Sequence, residues 1–307
     1  MMPTEHYFDS CGEGKIHYLR WLPEGQPKAV VQILHGIAEY ALRYDDFARY
    51  LNSLGIAVVA DDHMGHGKSM DTGTKGYFAG GWAAAVTDAK QLMDLTRAEF
   101  PGCPYVLFGH SMGSFMTRTF LAKYPDCGIR GAVICGTGWM SGAVLRIGKL
   151  AGGMVCALQG ERKPSEFLQG IAFGSYNNRI QEKRTPFDWL NRDPEQVDAY
   201  IADPLCGFTA SAGLLRDMLG GMIYNQKKTT LQAMEKTLPV LFIAGDADPV
   251  GPYGKGVEKT AEAFRSAGME KVTVKLYPGA RHEILNETNK QEVYEDVSGW
   301  LQSEEIL

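Results

Sequence analysis

Six short runs of apolar, largely β-branched residues constrain this chain more than any other feature. They are Ala29-Val30-Val31-Gln32-Ile33-Leu34, Ala57-Val58-Val59-Ala60-Asp61, Tyr105-Val106-Leu107-Phe108, Ala132-Val133-Ile134-Cys135, Val240-Leu241-Phe242-Ile243-Ala244 and Val272-Thr273-Val274-Lys275-Leu276. Continuous apolar runs, rather than alternating ones, suit strands covered by helices on both faces. Helical spacing appears between them, at about 44–54, 82–99, 111–124, 256–267 and 289–301. This alternation predicts an α/β fold with a mainly parallel, doubly wound sheet. Residues 5–8 and 15–22 are expected to add an antiparallel edge pair. The 307 residues leave room for one large domain with an insertion.

The alternation breaks between about Gly138 and Leu238, a stretch rich in Gly, Met, Leu and aromatic residues. The expected organisation is a core of residues 1–137 and 239–307 and a mostly helical cap of residues 138–238. Within the cap, 143–158 and 206–222 carry apolar residues at helical spacing. That pattern fits ordinary helix packing, and it equally fits side chains turned toward a ligand.

A net charge of −5 with no basic stripe argues against a nucleic-acid partner. No apolar run approaches the roughly 20 residues of a membrane span, so stable membrane insertion is not expected. None of the six cysteines forms a CxxC pair, and the start of the chain lacks the pattern of a signal peptide. A soluble, cytoplasmic protein is the expectation. Nothing in the sequence fixes the oligomeric state.

The run at 105–108 leads into Gly109-His110-Ser111-Met112-Gly113 and then a helical pattern. Gly-x-Ser-x-Gly alone is weak evidence, since about 0.1 to 0.3 matches arise by chance in a chain this size and this Gly-rich. Its place between a buried strand and a helix is what gives it force. A sharp strand-to-helix turn needs glycines where side chains would clash, and it presents the serine above the sheet. Ser111 is therefore the candidate nucleophile.

A serine hydroxyl needs a base to take its proton. Of seven histidines only His282 lies downstream of Ser111, in the loop after the run at 272–276. The acid is expected in the loop after the run at 240–244, which reads Gly245-Asp246-Ala247-Asp248-Pro249. Asp246 and Asp248 both qualify on sequence. The oxyanion of acyl transfer needs backbone N–H donors, and Met112 and Ile37 are the candidates. His35, in the same loop as Ile37, reads as a structural residue bonded to loop backbone. The Asp61-Asp62-His63-Met64-Gly65-His66-Gly67 segment places two His and two Asp close together, yet its glycines fit a tight loop better than a metal site. The chemistry calls for no metal and no cofactor.

These motifs together resemble the monoacylglycerol lipase and lysophospholipase-like branch of the α/β-hydrolases, whose bacterial members include serine-aminopeptidase-like proteins. His35-Gly36-Ile37-Ala38-Glu39-Tyr40 is similar to the family's HG-x-x-E-H loop, with Tyr40 where His is usual. Residues 62–69 look like its DH-x-GHG-x-S segment. Gly109 to Gly113 matches GHSMG, Gly245 to Asp248 matches G-x-x-D, and Gly279 to Glu283 matches G-A-x-H-E. The resemblance implies an eight-stranded sheet, with Asp248 as the acid. It also implies a lid over an acyl tunnel, and a polar alcohol pocket near Glu39, Arg43 and His110. Glu39 and Arg43 could equally form a purely structural ion pair. The implied substrate is a lipid-like carboxylic ester such as a monoacylglycerol or lysophospholipid. The rivals are an aminopeptidase, in which Glu39, Glu161, Glu166 or Glu182 would grip a free amine, and a non-catalytic receptor on the same scaffold.

Overall fold

The computed structural model describes residues 2–70 and 74–307. Its eight strands are β1 (Thr4–Asp9), β2 (Lys15–Trp21), β3 (Ala29–Leu34), β4 (Ile56–Asp61), β5 (Tyr105–His110), β6 (Gly131–Cys135), β7 (Val240–Gly245) and β8 (Val272–Tyr277). They form one sheet in the order β1-β2-β4-β3-β5-β6-β7-β8. β2 runs antiparallel to both β1 and β4, and every other pairing is parallel. All six runs are strands, the predicted edge pair is present, and the sheet and its helices make the α/β-hydrolase fold.

The α-helices among the described residues are α1 (Asp45–Ser53), α2 (Gly81–Glu99), α3 (Met112–Lys123), α4 (Gly142–Gln159), α5 (Glu166–Phe173), α6 (Pro194–Ala202), α7 (Ala212–Asn225), α8 (Lys228–Ala233), α9 (Lys255–Ser266) and α10 (Lys290–Ser303). Strands β3 to β7 are buried along their whole length. The pleat sends Val30, Leu34 and Leu107 into a core with α2 and α3. Val31, Ile33, Val106 and Phe108 point to the other face, against α1 and α10. Covering both faces is what makes these strands continuously apolar.

Between β6 and β7 the described residues contain helices α4 to α8 and no strand. The second apolar stretch expected there, 206–222, becomes a helix only at Ala212. Gly207 adopts φ +63°, which stops a helix, and the Ser211 hydroxyl accepts from Leu214 N–H as an N-cap. This insert is anchored to the core through α7: Asn225 Nδ2 donates to the Phe115 carbonyl, and Thr119 Oγ1 donates to Asn225 Oδ1. Helix α4 packs on α7 through its small residues, Gly148 against Leu219 and Gly152 against Arg216. Its other face exposes Val144, Ile147, Leu150, Met154 and Leu158. No described helix is long and apolar enough to cross a membrane.

Candidate active site

The strand-to-helix turn at Ser111 is built by exclusion. A Cβ on Gly109 would strike Thr117 and the Gly113 carbonyl, and one on Gly113 would strike the Leu34 carbonyl. With both positions reduced to glycine, β5 and α3 close tightly, and Ser111 is driven to φ 53°, ψ −118°. Such a conformation persists only where the surroundings enforce it, and it clusters at functional sites. The serine stands at the N-terminal end of α3, where the helix dipole favours developing negative charge.

Asp248 and His282 meet at the same rim. His282 Nδ1 lies 2.9 Å from Asp248 Oδ2, and both side chains are buried. Asp248 Oδ1 accepts from Val250 N–H at 2.8 Å, which fixes the carboxylate plane. Asp246 turns away and accepts from Gly279 N–H at 2.6 Å. It holds the turn before His282 rather than the imidazole.

Ser111 and His282 both border one cavity of about 310 Å³. Ser111 N–H donates to the Cys135 carbonyl, and the next residue, Gly136, lies so close to His282 that a Cβ there would come within 3.1 Å of its ring. The two side chains thus flank one strand end. Among the described residues, Ser111 Oγ makes no hydrogen bond. Catalytic hydrogen bonds are often loose before substrate binds.

Ile37 and Met112 also line the cavity, and among the described residues neither backbone N–H donates to a protein acceptor. The loop bearing Ile37 is tightly held. His35 Nδ1 lies 2.6 Å from the Gly36 carbonyl, and its Nε2 accepts from His63 N–H at 2.9 Å. That pair of bonds places the proton on Nδ1. Burial, and then the nearby His63, push the His35 pKa down to about 4, so the ring is neutral at physiological pH. A trans peptide points its C=O and N–H in opposite directions, so holding the Gly36 carbonyl aims the Ile37 N–H away from His35.

Glu39, Arg43 and His110 converge in a buried network rather than standing free. Glu39 Oε1 accepts from Gly36 N–H (2.6 Å) and Tyr44 OH (2.9 Å) and lies 3.1 Å from His110 Nδ1; Oε2 accepts from Arg43 (2.9 Å). Arg43 is also bidentate on Glu283, at 2.5 and 2.8 Å, and stacks over the Tyr200 ring. His110 Nε2 donates to the His282 carbonyl at 3.2 Å. Burial disfavours the charged form of His110, but the bond to Glu39 and the charge of that carboxylate outweigh it and raise the pKa. The same contacts hold the Glu39 carboxyl well below the usual range against the opposing effect of burial. Glu39 and His110 line the cavity, but their polar atoms are already engaged with protein, and Arg43 does not line it.

Sequence reasoning missed Glu283, Tyr44 and Tyr200. Glu283 stood in the G-A-x-H-E segment, and its adjacency to His282 was the available signal. Tyr40, the departure from the family loop, sits outside the cavity lining and donates to Asp203 Oδ2 at 2.7 Å, tying the loop to the insert. The His and Asp residues of the 61–66 segment are engaged in loop bonds. His63 Nδ1 lies 2.7 Å from Asp61, and Asp62 accepts from Ala41 and Lys68 N–H and lies 2.8 Å from His17 Nδ1.

Residues 25–289 match the family described as serine aminopeptidase S33. The chain is 32% identical over 304 residues to a monoacylglycerol lipase of Mycolicibacterium smegmatis, covering 98% of this chain and 97% of that protein. The chain belongs to the monoacylglycerol lipase-like branch of the α/β-hydrolases. This hydrolase is also 29% identical to the mouse monoglyceride lipase, over 94% of its own length and 88% of that protein. A thermostable carboxyl esterase from Bacillus coagulans, solved with glycerol, superimposes with a TM-score of 0.92 at 29% identity, with both chains fully covered. Membership of this branch supports an ester-hydrolase role.

Proposed function

We propose that this protein is a serine hydrolase that cleaves monoacylglycerol-like esters through an acyl-serine intermediate. Ser111 attacks the ester carbonyl as His282 takes its proton, and Asp248 orients the imidazole and stabilises its charged form. The N–H groups of Ile37 and Met112 hold the oxyanion. The alcohol leaves with the proton from His282, and a water activated by the same ring then releases the acid. The insert, residues 138–238, acts as the cap. The observation that carries this reading is the buried Asp248–His282 bond at the rim of the cavity that also holds Ser111.

The lining supports a lipid-like acyl group. Phe115, Met140, Phe173, Phe208, Leu219 and Met222 surround the space beside Ser111. The polar residues argue for an uncharged alcohol. No Lys or Arg stands among the described lining residues, which include Glu39, Glu166 and Glu283. A phosphate would meet carboxylates and no free cation, which favours a monoacylglycerol over a lysophospholipid.

The aminopeptidase reading needs a carboxylate free to grip an amine. Glu39 is occupied by four protein groups, and Glu161 and Glu182 do not line the cavity. Glu166 does line it, but accepts from Thr209 Oγ1 at 2.6 Å.

The test is a hydrolysis panel at matched acyl length: a monoacylglycerol, a lysophosphatidylcholine and an aminoacyl anilide. The expected order is monoacylglycerol first by at least tenfold. A preference for the anilide would replace this reading with the aminopeptidase. A folded protein that turns over none of them and takes no fluorophosphonate label would replace it with a receptor.

A further inference from the structure

The oxyanion loop is held from two sides, and one side is the insert. From the core, Glu39 Oε1 accepts Gly36 N–H, and His35 binds the Gly36 carbonyl. From the insert, the Ala38 carbonyl accepts two donors, Tyr200 OH and Gly207 N–H, each at 3.0 Å. Ala38 needs that support. It stands at φ +55°, in the left-handed region that a residue with a Cβ rarely adopts. Strained backbone persists only where neighbouring contacts over-determine it.

Tyr200 is itself fixed. Its ring is buried, packs against Phe187, and carries the Arg43 guanidinium 4.9 Å above its centre. Arg43 in turn is clamped by Glu283, the residue after the candidate base. The insert also reaches the base loop directly: Glu283 N–H donates to the Leu190 carbonyl, and Arg281 Nη1 donates to the carbonyls of Asp188 and Asn191.

We propose that Tyr200 is a positioning residue for the oxyanion hole: its hydroxyl holds the Ala38 carbonyl so that the strained loop keeps the Ile37 N–H aimed at the reacting carbonyl. The inference rests on the serine-hydrolase reading. It divides the insert by role. The segment around α6 belongs to the catalytic framework, whereas α4 and α5 carry most of the insert's exposed large apolar side chains.

Tyr200→Phe removes the hydroxyl and keeps the ring on Arg43. Three readouts are taken on the full chain: kcat and KM for p-nitrophenyl butyrate, the rate of fluorophosphonate labelling, and amide hydrogen exchange over residues 35–40. The expected result is a fall of about 5- to 10-fold in both kcat and labelling rate, the size of one lost neutral hydrogen bond. KM should stay within twofold, and exchange over 35–40 should quicken. A substrate contact at Tyr200 would instead raise KM, and general destabilisation would quicken exchange across the sheet; either result overturns the proposal. So does a variant with wild-type labelling and wild-type exchange. A folded wild-type protein that takes no label overturns the hydrolase reading itself, which separates the two failures.

Discussion

Replacing Arg43 by Met tests whether the network beside the active site is as buried as its geometry implies. The Arg43 side chain is 12% exposed, and its partners Glu39 and Glu283 are each 5% exposed. Met keeps the apolar stem length and removes the charge, leaving two carboxylates in a desolvated site beside His110. Breaking a buried ion pair by removing one partner costs about 3–5 kcal/mol, because the remaining charge loses its compensation. For a chain of 307 residues, with an unfolding entropy of about 0.64 kcal/mol/K, that is a fall in Tm of about 5–8 °C. The assay is calorimetry of the wild type, Arg43→Met and Arg43→Met/Glu283→Gln. The double variant should regain part of the loss, since one stranded carboxylate is then neutral. An Arg43→Met protein within 1 °C of wild type at pH 7 would refute the reasoning, showing that solvent screens the network.

The centre of the sheet was legible in the sequence because strands buried on both faces, β3 to β7, need no polar side and read as nearly unbroken apolar runs, whereas β8 is only partly buried and carries Thr273 and Lys275. The turn that carries the candidate nucleophile was legible because the steric demand at Gly109 and Gly113 is local. For the candidate acid, loop chemistry alone left Asp246 beside Asp248, and the family's G-x-x-D pattern pointed to Asp248; the fold sets Asp248 against the imidazole and Asp246 against the Gly279 N–H. The start of α7 was misplaced because apolar spacing runs through Gly207, where the backbone turns left-handed. Glu283, whose one sequence signal was its place beside His282, and Tyr200, which gave none, were missed for a different reason. Their roles arise where Arg43, 240 residues from Glu283, meets both. Tyr40, a departure from the family loop, is explained only by Asp203, a residue of the insert.

Asp248→Asn should lower kcat by about 10⁴-fold, whereas Asp246→Asn should stay within a few-fold of wild type; steady-state ester hydrolysis compares them, and equal losses would undo the assignment. His110→Gln should reveal a pH-dependent stability term. The folded His110 pKa is raised above its ordinary 6.5. Its contribution is therefore complete below about pH 6.5 and is lost as pH rises through the folded value. The Tm gap between wild type and variant should shrink from pH 6 to pH 9, and a constant gap would show that His110 is not held protonated.

The central claim is a nucleophilic serine, and intact-protein mass spectrometry after fluorophosphonate treatment tests it most directly. The account predicts one adduct per chain, mapped to Ser111. The adduct should be absent in a folded Ser111→Ala protein, whose ester turnover falls by about 10⁶-fold. A folded wild-type protein that stays unmodified, or an adduct on any residue other than Ser111, would contradict it.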